Sequence, residues 1–354
     1  TDVYSQSITR GEVSVSASNR YGSTDGCVRM YYSWGNHFVN DPRHFHSTDD
    51  RFGILAYQNL TPWHDASATI GFDLNSYSGE IPISGGQNHE QSPLGTLPRK
   101  SITEYSPYIT MAQSFASGQA ILSAGLRMSN SDKFDTQWVP QAGIVMSPAH
   151  LFTFKLSAAM GYRNPSFREL YLYRMANPDL QPEKMWNFEA SVARRFSRML
   201  EVDITVYYSR GSNIIQQVNM HNENTGRFIN KGIEVSVKSH PLESLALSAT
   251  YSLLDTSLDN LTGAPRNQYF LGADWRIYSP LTVSAELKGV QGLYVDKRMK
   301  RQNYALLNLK ATYSATQWLD IFCRLENITD AHYTINYGYP MPGFTAMGGI
   351  KLKI

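Results

Sequence analysis

The sequence predicts an all-β chain, a transmembrane antiparallel β-barrel of about seventeen strands that forms part of a larger, even-stranded barrel. Three observations point there. Period-two alternation recurs in segments of about ten residues. Short turns and longer polar loops follow one another along the chain. No run approaches the roughly 18 consecutive apolar residues of a membrane-crossing helix, and mean hydropathy is −0.35. A chain of this kind can cross a membrane only as a closed barrel, because lipid leaves no partner for an open strand edge.

The alternation is clearest in four segments. Val202, Ile204, Val206 and Tyr208 point one way while Asp203, Thr205, Tyr207 and Ser209 point the other. Leu281, Val283, Ala285 and Leu287 oppose Thr282, Ser284, Glu286 and Lys288. Ile233, Val235 and Val237 oppose Glu234, Ser236 and Lys238, and Leu319, Ile321, Cys323 and Leu325 oppose Asp320, Phe322, Arg324 and Glu326. Each segment carries its charges on one side. A one-residue slip would turn them into lipid, at about 2–4 kcal/mol for each Arg or Lys near the midplane.

Tight turns are expected near 22–26, 60–65, 116–118, 147–150, 196–199, 240–243, 278–280 and 314–316. Longer loops are expected near 37–50, 78–99, 129–134, 164–182, 210–225, 256–266, 292–302 and 328–342. Outer-membrane barrels have short periplasmic turns and long extracellular loops, so the alternation assigns an inside and an outside. On this assignment the first strand runs inward, and at least one strand is expected upstream of Thr1. The whole chain, 1–354, then reads as one incomplete barrel domain.

Composition agrees. Across 354 residues, 32 Lys plus Arg face 30 Asp plus Glu, too even a balance for a nucleic-acid footprint. Aromatics make up 12%, with 22 Tyr, which suits interfacial girdles. Cys27 falls on a polar face and Cys323 on an apolar face, so a bond between them is not expected.

Residues 161–189 read GYRNPSFRELYLYRMANPDLQPEKMWNFE. Pro165, Pro178 and Pro182 cannot donate to a ladder and confine 164–182 to a loop, with a turn favoured at Asn177-Pro178. A structural role is the first expectation for this stretch. It resembles the strand, loop and strand of TonB-dependent receptors, in which an aromatic-Arg-x-Pro box precedes Asn-Pro-x-Leu-x-Pro-Glu. NTGRFINKGIEVSV at 224–237 and ENITDAHYTINYGYPMPGF at 326–344, leading into GGIKLKI, are similar to later elements of that family. The resemblance implies an outer-membrane receptor that imports a scarce, bulky chelate: an iron-siderophore, haem or cobalamin. It also implies a plug domain and a TonB-engaging segment, neither of which is visible in these residues. Energy would come from the TonB complex, and outer-membrane lipid would surround the wall. Many barrels end in Phe or Trp, whereas this chain ends in Ile354.

Candidate ligand contacts fall in three loops. HFVNDPRHFH at 37–46 offers His37, His44 and His46, and imidazole suits iron, copper and zinc; an ordinary solvated loop would look the same, so the metal is left unassigned. The 164–182 loop offers Arg168, Tyr173 and Arg174, whose forks and rings suit a flat or anionic ligand. Some haem receptors place a histidine between the two boxes, and 162–182 contains none. The last loop offers Tyr337, Tyr339 and Met341 beside two prolines, a cluster resembling that of cobalamin and haem transporters. No nucleophile elbow, His-Glu-x-x-His helix or phosphate-cradling glycine loop is present, so neither an enzyme nor a resident cofactor is expected. The rival readings are a passive porin-like channel, an outer-membrane enzyme and a soluble carbohydrate-binding β protein.

Overall fold

The computed structural model describes residues 5–40, 45–82, 96–148, 151–172, 174–197, 199–259, 261–296 and 299–353. Its strands are β1 (Ser5–Tyr21), β2 (Thr24–Asn40), β3 (Phe45–Leu60), β4 (Ala66–Ile81), β5 (Leu97–Phe115), β6 (Ala120–Ser131), β7 (Gln137–Met146) and β8 (Phe152–Arg163). After a short α-helix, α1 (Phe167–Tyr171), come β9 (Glu183–Ser197), β10 (Leu200–Val218), β11 (His221–Leu242), β12 (Leu245–Thr256), β13 (Asn267–Tyr278) and β14 (Leu281–Leu293). The chain finishes with β15 (Gln302–Ser314), β16 (Leu319–Glu326), a small hairpin of β17 (Thr334–Asn336) and β18 (Tyr339–Pro340), and β19 (Thr345–Leu352). The long strands make a 17-stranded sheet, and every pairing whose register is given is antiparallel. The expected number of strands and the all-β class are what the structure has.

Contacts group the chain into two compact units. One comprises Thr1–Ile144, Ser157–Asn187 and Gly211–Arg227. Here β1 to β6 pair in sequence order, with seventeen consecutive partners from Ser5↔Asn40 to Tyr21↔Thr24 in the first hairpin. Directly opposed residues share a face, so Met30, Ile54, Leu74 and Tyr105 lie in one row. On the opposite face Arg127 meets Asp73 at 2.6 Å, and Tyr31 and Arg51 both donate to Asn75 Oδ1, at 2.6 and 2.9 Å. These polar groups meet one another across neighbouring strands.

The other unit comprises Val145–Leu156, Phe188–Arg210 and Phe228–Ile354. In β11 to β15 the row Val235, Tyr251, Tyr269 and Gly289 lies on the apolar side. Gly289 has no side chain because the Tyr269 ring lies across its Cα, where an added Cβ would collide with the ring. The four alternating segments of the sequence all lie on strands. Cys27 and Cys323 are both free.

Two expected loops are largely strand. Residues 37–40 and 45–50 extend β2 and β3 through the pairs Val39↔Phe45 and Phe38↔His46, and 210–218 with 221–225 extend β10 and β11. Polar composition did not stop the ladder, because cross-strand hydrogen bonds such as the bidentate Arg10–Asp49 pair, at 3.0 and 3.2 Å, support it. The link between β10 and β11 is Asn219-Met220, both at positive φ (48° and 63°). That is the backbone of a two-residue hairpin turn, without the Asn-Gly that advertises one.

Candidate functional site

The loop between β8 and β9 is built from the two sequence boxes. Ser166 caps α1: its hydroxyl accepts from the Glu169 amide at 3.2 Å, and Glu169 Oε2 accepts from the Ser166 amide at 2.7 Å. Arg163, the last residue of β8, donates through both terminal nitrogens to Glu169, at 2.8 and 3.1 Å, and through Nε to Glu183 at 2.7 Å. One guanidinium thus clamps the entry, the helix and the exit of the loop. Asn164 donates to Glu104 of β5 at 2.5 Å.

The loop also has an apolar anchor. Leu170 and Leu180, 0% and 1% exposed, pack with Ile102 and Phe134, flanked by Tyr77, Phe167, Tyr171 and Ile215. Ile102 and Tyr77 are direct partners on β5 and β4, on the face that carries Asp73 and Asn75. The loop is therefore folded back onto the polar side of the wall. Asn177 ties it further, donating to the Asn222 carbonyl at 2.8 Å while accepting from the Asp179 amide at 2.9 Å. Asn224 accepts from the Gln181 amide at 2.7 Å and returns Nδ2 to the Gln181 carbonyl at 2.9 Å. The box at 177–183 and the motif beginning at Asn224 are thereby joined, which the sequence expectation of a structural role anticipates in kind. The partners Glu104 and Asn222 carried no sequence signal, since each is an ordinary polar residue on a strand.

Burial pushes the Glu169 carboxyl up, but the hydrogen bonds from Arg163 and Ser166 outweigh it and hold the group below its ordinary value. Its ionised form then favours the docked loop. That contribution is complete above the unfolded value of about 4.3 and is lost as pH falls through the lower folded value. A nitroxide attached at position 179, in a chain whose own cysteines are replaced by serine, is expected to stay immobilised from about pH 8 to 5 and to loosen below about pH 4. Unchanged mobility at the acid end would rule Glu169 out as the latch.

A second platform follows β16. Asn327, 5% exposed and at φ 49°, donates to the Ala331 and Pro342 carbonyls at 3.0 and 3.2 Å and accepts from the Ala331 amide at 2.9 Å. Asp330 accepts from the Phe344 amide at 2.9 Å. Gln302 pairs with Thr334 through both its oxygen and its nitrogen, and the Tyr304 and Tyr333 rings lie 4.5 Å apart. The base is pinned and the tip is open, with Tyr337 59% and Tyr339 73% exposed. Asn327→Ala would strand three backbone groups, and a loss of about 1–3 kcal/mol is expected in urea unfolding; a loss under a few tenths would show that the loop is held elsewhere.

Two of the sequence-predicted contacts can be compared within one hairpin. His37 and His46 lie on opposite faces, because His37 pairs with Ser47 while His46 pairs with Phe38 one position along. His37 bonds Gln6 at 2.8 Å and His46 bonds Asn36 at 2.9 Å. His44 and Tyr173 lie outside the described residues. Arg168 and Arg174 are exposed on the docked loop, and Met341 is half-buried at the second platform. Among the described residues no three His, Cys, Asp or Glu side chains converge as a metal site.

Comparison with known proteins adds an independent line. Residues 4–328 match the family model described as TonB dependent receptor-like, beta-barrel. The vitamin B12 transporter BtuB of Photobacterium profundum is 23% identical over 325 residues, covering 85% of this chain and 50% of its own length. Among solved structures, a variant of the ferric enterobactin receptor PfeA of Pseudomonas aeruginosa superposes with a TM-score of 0.79 at 17% identity, covering 98% of this chain and 62% of that one. The siderophore receptor PirA of the same organism gives 0.77 at 15% identity, covering 99% and 64%. The chain spans about half the length of its curated relative.

Proposed function

Because this chain belongs to the TonB-dependent receptor β-barrel family, we propose that it is the wall of an outer-membrane receptor that captures a large nutrient chelate and imports it with energy drawn through TonB. The family match over residues 4–328 carries this reading. The two pinned platforms support it, since each presents polar or aromatic side chains from a base held by several hydrogen bonds, and preorganised contacts lose less entropy on binding. The ligand contacts would be Arg168, Arg174, Tyr337, Tyr339 and Met341, with His37, His44, His46 and Tyr173 as further candidates. The plug and the TonB-engaging segment would belong to the rest of the protein.

Among chelates we place a corrinoid first, because the curated relative is named a vitamin B12 transporter. A ferric siderophore comes second and haem third. The test is titration of the purified intact protein with cyanocobalamin, ferric enterobactin and haemin, paired with uptake by cells with and without TonB. Saturable binding of one chelate, and uptake that falls to background without TonB, is the expected result. Uptake that rises linearly with concentration and ignores TonB would replace this reading with a passive channel.

A further inference from the structure

One side chain breaks the pattern on the apolar face of β9, close to its short turn into β10. The outward row continues Phe188, Ala190, Val192, Arg194 and Phe196. Its side is fixed by Phe188, whose ring lies 6.4 Å from that of Tyr208 in the apolar row of β10. The Arg194 guanidinium stands 4.5 Å from the centre of the Phe152 ring and 4.3 Å from that of Phe196. Phe152 in turn stacks on Phe154 at 5.9 Å. The next residue, Arg195, faces the polar side and meets Glu201 at 3.4 Å. Arg194 has no carboxylate partner among the described residues.

Lys184 begins the same row at the other end of β9, and two further cations on apolar rows have acid partners. Arg99, near the start of β5, is paired with Asp50, and Lys231, in the middle of β11, is paired with Asp255. Near the short turn, an arginine in a lipid-facing row is tolerated because the interface lies within reach, whereas at mid-depth it would be costly. Two phenyl rings lie against the guanidinium, and an arginine held against aromatic rings keeps its N–H fork for an anion in its plane. The anion available at that depth is the phosphodiester of a phospholipid headgroup.

We propose that Arg194, held between Phe152 and Phe196, is a binding site for the phosphate of a phospholipid in the leaflet next to the short turns. The proposal rests on the membrane reading above and is independent of which chelate is carried. The test is native mass spectrometry of the intact protein in detergent micelles titrated with dioleoylphosphatidylglycerol, with uncharged dioleoylglycerol and inorganic phosphate as separate arms.

Arg194→Gln is expected to lower phosphatidylglycerol occupancy about fivefold, equivalent to about 1 kcal/mol for a basic residue near an anionic surface. Arg194→Lys, which keeps the charge without the fork, should fall between. Phe196→Leu provides a second variant that keeps the cation and is expected to weaken retention. Equal occupancy in the wild type and Arg194→Gln would overturn the proposal, as would dioleoylglycerol binding as well as phosphatidylglycerol. Displacement of the lipid by inorganic phosphate would overturn it in favour of a free-anion site. Heat-modifiable mobility on gels reports folding of every variant. A protein that enters no micelle or bilayer fails the membrane reading itself, a result distinct from equal lipid occupancy.

Discussion

Leu287→Arg is expected to lower the unfolding free energy of the intact protein in lipid by about 2–4 kcal/mol, the cost of an arginine near the midplane on a lipid-facing row. Leu287 sits in the middle of β14, opposite Leu271 on one side and Leu307 on the other. All three side chains share the apolar face, so the new guanidinium would find neither water nor an acid beside it. Glu286→Arg, one position away, is the control. It falls on the polar face opposite Gly272 and Asn308, and a change within about 0.5 kcal/mol is expected there. Reversible urea unfolding in phospholipid vesicles reads both. Equal costs at the two positions would mean that the face assignment is wrong.

Leu170→Ala is expected to undock the loop between β8 and β9. Leu170 is fully buried against Ile102, Phe134 and Leu180. Truncating such a leucine costs about 2–5 kcal/mol when the surroundings cannot collapse. The loop is held on strands that stay in place, so the loss should fall on loop docking and leave the sheet intact. Hydrogen exchange is the measurement. The amides of Asn177 and Gln181, which donate to the Glu169 carbonyl and the Asn224 side chain, should lose most of their protection, while those of β12 to β15 keep theirs. If ligand capture uses Arg168 and Arg174, affinity should fall with the same variant. Loss of protection across the whole sheet would show instead that the loop is part of the folding core.

The fold was legible because it depends on a repeated local pattern. Val202 to Tyr208 and Leu281 to Lys288 each declare two faces, and lipid on one side makes the wrong face expensive. Short turns such as Ser279-Pro280 between β13 and β14 were visible through their turn residues. The extents of the hairpins were not. Asn219-Met220 carries no turn signature, and the ends of β2 and β3 are polar, so composition suggested loop where the ladder continues. The boxes at 161–189 showed that a specific loop exists, through Pro165, Pro178 and Pro182. Their partners could not be read, because Glu104, Asn222 and Asn224 lie 43 to 60 residues away from the groups they meet.

The sequence by itself determined that this is an all-β wall with one lipid-suited and one polar face, because side-chain direction alternates with a period of two whatever the neighbours are. It also determined where the chain must leave the sheet, because proline cannot donate to a ladder. Tertiary structure alone decided that the loop between β8 and β9 folds back onto the polar face, that His37 and His46 part company, and that Arg194 stands between two rings among apolar neighbours. Each of these depends on register between strands, and register is set by the sum of cross-strand contacts that no single segment contains.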